Sequence, residues 1–121
     1  MKIKAQAVTV LLVILSILGV FGSTADARDM GKVLRSDARF VLTSSKPIFD
    51  VERCLINLDM PTMAFVYRAP DRPSESLVYW DLGMGPPLVA ELVSSASGTS
   101  ISVKGGRNAG RNHIESCVDS R

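Results

Sequence analysis

Residues 88–104, LVAELVSSASGTSISVK, decide how this chain folds. In the second half Ile101 and Val103 alternate with Ser102 and Lys104, the period of a half-buried strand. In the first half, residues 88–94, Val89 and Val93 suit a strand, with a short helix as the alternative for so apolar a run. Ser95 to Gly98 is a short polar turn, so two strands here make a hairpin.

Further strands are expected upstream. Residues 76–81 set Leu77 and Tyr79 against Val78 and Trp80, and residues 62–68 set Met63, Phe65 and Tyr67 against Ala64 and Val66. Pro70 and Pro73 punctuate the polar loop 69–75, and Gly83, Gly85, Pro86 and Pro87 break the chain before residue 88. Residues 38–43 supply a first strand with Phe40 and Leu42 on one face.

Between the first two strands the period changes. Ile48, Val51, Leu55 and Leu58 form one helical stripe, with Cys54 on the same side. Ser45 is the expected N-cap, Pro47 suits the first turn, and Asn57, Asp59 and Pro61 place the end near residue 59. After a glycine-rich, basic loop at 105–112, Ile114, Cys117 and Val118 mark a short final helix, with Asn108 or Asn112 as its cap. The expectation is a small two-layer α+β domain in the order β-α-β-β-β-β-α. Its mostly antiparallel sheet of about five strands has both short helices on one face.

Residues 1–27 read as a secretory signal peptide. Lys2 and Lys4 precede an apolar run from Val8 to Val20, and Ala25-Asp26-Ala27 is a small-x-small cleavage site. The rival reading, an uncleaved anchor, needs about 20 consecutive apolar residues, which Gly19, Gly22, Ser23 and Thr24 interrupt. Removing 27 of 121 residues leaves 94, a polar, mixed-charge arm at 28–37 and one domain at 38–121. The net charge of +2 includes Lys2, Lys4 and Asp26, so the remainder carries +1. That balance gives no drive toward nucleic acid, and no stable membrane insertion is expected after cleavage. In an oxidising compartment the pair Cys54 and Cys117 reads as a structural disulfide, since redox-active pairs usually lie close in sequence.

No catalytic set stands out. His113 is the sole histidine, and no G-x-S-x-G elbow surrounds a serine. Asp71 and Glu75 share one polar loop, the usual habit of solvated acids, although paired carboxylates also serve glycoside hydrolysis. No metal or cofactor is implied. The segment 104–111 is a candidate anion site: Lys104, Arg107 and Arg111 lie among Gly105, Gly106 and Gly110, whose backbone amides can converge on a negative group. Tyr67, Tyr79 and Trp80 are candidate recognition aromatics. Met60, Met63 and Met84 are candidates to line an apolar pocket between sheet and helices. The expected function is that of an exported, non-enzymatic binding, adaptor or inhibitor-like domain for an unknown protein or envelope component. A carrier of a small lipid or anionic head-group is the alternative, and a hydrolase comes third.

Overall fold

The computed structural model describes residues 25–83 and 85–118. Most of the expected signal peptide, residues 1–24, and Met84 lie outside them. In chain order the elements are α1 (Ala25–Arg35), β1 (Phe40–Ser44), α2 (Ile48–Ile56), β2 (Ala64–Tyr67), β3 (Glu75–Trp80), β4 (Leu88–Ser95), β5 (Gly98–Gly105) and α3 (Arg111–Glu115).

The five strands make one antiparallel sheet in the order β1-β5-β4-β3-β2. The β4–β5 hairpin is its centre, so residues 88–94 are strand. Their apolar run is explained by burial on both sides: Leu88, Ala90 and Leu92 face one layer, Val89 the other, and all four are fully buried. Gly98 closes the hairpin. A Cβ there would stand 1.9 Å from the Ser44 carbonyl oxygen, and its φ of +138° is one that L-residues rarely adopt.

The main core lies on the sheet face that presents Val78, Trp80, Leu88, Ala90, Leu92, Ile101 and Val103. Ile48, Val51 and Leu55 of α2 cover it, together with Ile114 of α3 and Cys117 just beyond. The spacing of Ile48, Val51 and Leu55 is therefore the stripe that faces the core. Cys54 and Cys117 are joined in a disulfide, with Cα atoms 5.7 Å apart. This covalent link ties the two helices together over the sheet.

Local details depart from the sequence reading. Helix α2 has Pro47, not Ser45, at its N-cap position, with no side-chain capping bond, and it stops at Ile56. The Ser44 hydroxyl instead accepts from the Lys46 amide at 3.2 Å and donates to the Val118 carbonyl. That hydroxyl binds the β1–α2 link to the C-terminal segment. Gly110, at φ +81°, takes the N-cap position of α3 in place of Asn108 or Asn112.

The larger difference is α1. Residues 28–37, which read as an arm, are helical as far as Arg35, and the expected cleavage site at 25–27 falls in the first turn of this helix. Its mixed charge hides the triplet Met30, Val33 and Leu34, in which Val33 is buried. The Ser36 hydroxyl and amide both donate to the Val33 carbonyl and close the last turn. Lys104 Nζ donates to the Leu34 carbonyl at 2.8 Å. Lys104 points away from the main core, so α1 lies on the second face of the sheet.

The double variant Cys54→Ser/Cys117→Ser frees a 63-residue separation. It is expected to lose about 4 kcal/mol of unfolding free energy in the chain-entropy account. Urea denaturation followed by the emission of Trp80, which is buried in the core, measures the loss.

Candidate functional site

The pairing register assigns each side chain to a face. On the face opposite the main core, one row runs Val41, Ser102, Glu91, Leu77, Tyr67, and the next runs Lys104, Val89, Tyr79, Phe65. Polarity is divided along these rows. The β1–β5 side carries Thr43, Ser100 and Ser102, whereas the β2–β3–β4 side carries Phe65, Tyr67, Leu77, Tyr79 and Val93.

The apolar half is only partly covered. Phe65 and Tyr67 are 51% and 60% exposed, and Val93 is 45% exposed. The Phe65 and Tyr79 rings stack with centroids 5.2 Å apart, which holds both side chains in place. Between this surface and α1 lies a groove of about 400 Å³, whose walls include Leu34, Tyr67, Leu77, Val93, Glu91 and Arg72. Two ion pairs border it. Lys104 pairs with Glu91 at 3.3 Å, and Arg72 with Glu75 at 3.6 Å. The groove is therefore an apolar floor with charged margins, a composition suited to apolar ligand groups fixed by a few polar contacts.

The candidate aromatics divide between the faces. Tyr67 and Tyr79 belong to this surface. Trp80 does not: it lies one residue out of phase with Tyr79, faces the helices and is 1% exposed. It serves the core.

The anion-site candidates are separated. Lys104 lies on the second face and is engaged by Glu91 and the Leu34 carbonyl. Arg111 pairs with Glu115 at 2.7 Å and stands 4.8 Å from the centroid of Phe40, a ring on the main-core side. Arg107 is exposed, with its guanidinium beside Gly85. The glycines have a packing reason. A Cβ on Gly105 would be 2.1 Å from the Pro87 carbonyl oxygen, and one on Gly106 or Gly110 would strike Leu88. The loop is glycine-rich because it runs hard against β4.

The candidate acids and histidine are likewise dispersed. Asp71 is exposed in its loop, Glu75 pairs with Arg72 on the second face, and His113 is exposed on α3 over the other layer. Met60 packs against the core, while Met63 is 82% exposed, so these two do not line one pocket. Among the described residues no cluster of three or more His, Cys, Asp or Glu could hold a metal ion.

One charged group escaped the sequence reading. Glu52 of α2 is 5% exposed. Its carboxylate accepts from Ser76 Oγ at 2.8 Å and from Arg68 Nε at 3.1 Å, with a second bond from Arg68 Nη2. The Arg68 guanidinium also lies over the Phe49 ring, 4.6 Å from its centroid. No local pattern signals this cluster, since Arg68 and Ser76 come from separate elements 16 and 24 residues away. It clamps the end of β2 to α2.

Comparison with protein-family models, with curated proteins and with solved structures finds no match. Among the described residues no helix is long and apolar enough to cross a membrane.

Two measurements check this assignment. Trp80 emission is expected to be blue-shifted and to resist iodide quenching, whereas quenching as strong as for free tryptophan would put the indole on the open face. Arg68→Ala leaves Glu52 charged and short of its partner, at an expected cost of about 2 kcal/mol, discounted because Arg68 is half exposed. Glu52→Gln should cost less, because its amide keeps an acceptor for Ser76. Both are read as shifts in the denaturation midpoint.

Proposed function

We propose that the protein is an exported, non-catalytic binding domain whose open sheet face takes up apolar and aromatic side chains of a protein partner. The exposed Phe65, Tyr67 and Val93 on the open sheet face beside the α1 groove carry this reading. A small domain gains by placing its large apolar groups inside, and exposed aromatic patches with polar margins mark interaction surfaces. Export is supported by the pattern of residues 1–27 and by the Cys54–Cys117 disulfide, a bond that persists in non-reducing compartments.

A photoreactive amino acid at Val93 tests the reading. The expected result is a discrete cross-linked protein from the native extracytoplasmic fraction, absent when the probe replaces exposed His113 on the opposite layer. Adding Tyr67→Asp should reduce the capture at least tenfold. Equal labelling from both positions would remove the proposal. The groove also falls within the volume range of small-molecule sites, roughly 300–1,000 Å³. A lipid that co-purifies in native mass spectrometry and is lost in Tyr67→Asp would make the protein a carrier instead.

A further inference from the structure

Eight large apolar side chains are left exposed among the described residues, and six of them gather at one edge of the sheet. Met63, Phe65, Val66 and Tyr67 belong to β2 or its approach, and Phe49 and Ile56 to the outer side of α2. Phe49 and Ile56 border, with Arg68, a hollow of about 270 Å³ that joins the helix surface to the end of β2.

β2 is the outermost strand, so on its far side no described strand takes up its backbone amides and carbonyls. Such edges are usually guarded by charged side chains, a bulge or a covering element. From Pro61 to Tyr67 this edge carries no charge.

We propose that β2 pairs antiparallel with β2 of a second copy of this chain, with Phe65 opposite its counterpart at the two-fold axis. The strand is self-complementary in that register. Met63 meets Tyr67, Ala64 meets Val66, and Arg68 meets Thr62, so no like charges are opposed.

Pairing joins two five-stranded sheets into one and continues the stacked Phe65–Tyr79 row across the axis. The open faces of the two copies then form one surface. Self-association concerns the strand edge and is read from the mass and cross-linking of this chain alone, so it stands apart from whether that surface binds a partner.

Analytical ultracentrifugation of the protein expressed from its full coding sequence and purified as the cell releases it provides the test. A species of twice the chain mass at micromolar concentration is expected. Val66→Lys should weaken association at least tenfold, and so should Met63→Lys, which alters a side chain 82% exposed. Val41→Lys, at the opposite edge of the sheet, should leave association unchanged. Phe65→Cys should give a covalent dimer on a non-reducing gel. Unchanged Trp80 emission in each variant shows that the fold is retained. A monomer at all concentrations, a dimer indifferent to Val66→Lys and Met63→Lys, equal weakening by Val41→Lys, or no cross-link at Phe65 overturns the proposal.

Discussion

The covalent tie between Cys54 and Cys117 is the constraint on which the packing of this domain depends. Helix α3 has five residues, far below the length at which a helix holds its own shape in water. It persists because Ile114 and Cys117 are buried in the same core as Val51 and Leu55, and because the disulfide holds that segment against α2. The Ser44 hydroxyl, bonded to the Val118 carbonyl, secures the same segment from the β1 side. Two short helices and one bond thus cover a face that neither helix would cover alone.

The sheet is consequently asymmetric in how its two faces are used. The core face is filled by Trp80, Leu88, Leu92, Ile101 and their helical partners. Over the second face, α1 is anchored through Lys104 and the Leu34 carbonyl, and Phe65 and Tyr67 are left open. Serines keep the β5 side polar, but β2 and β3 carry apolar residues on both faces. That excess over what the core requires is the physical basis for proposing that this surface binds a partner.

Sequence and structure agree where a pattern is local. The alternation of Ile101 and Val103 with Ser102 and Lys104 is a property of one strand, and so is the stripe Ile48, Val51, Leu55. They disagree where a residue's role depends on a distant neighbour. The glycines at 105, 106 and 110 have a packing role that their own segment does not reveal, since a Cβ there would meet Pro87 or Leu88. Ser45 reads as a cap, but Pro47 takes the N-cap position of α2, and the Ser44 hydroxyl bonds across the β1–α2 turn. The polar segment before β1 looked unstructured until the second face gave Val33 somewhere to be buried.

The sequence by itself determined the α+β plan with its antiparallel sheet, the central hairpin, the two core helices and the cysteine pair, because hydrophobic period and turn chemistry act over a few residues; the third helix, α1 on the second face, it did not. Only the tertiary structure decided which aromatics are free. Tyr79 and Trp80 are adjacent and chemically alike, and a strand's two-residue period sends one to the open face and the other into the core. It also decided that Glu52 is a buried ion-pair partner and that β2 lies at an edge. Both depend on strand order, which is set by the packing of segments far apart in the chain and leaves no mark in any one of them.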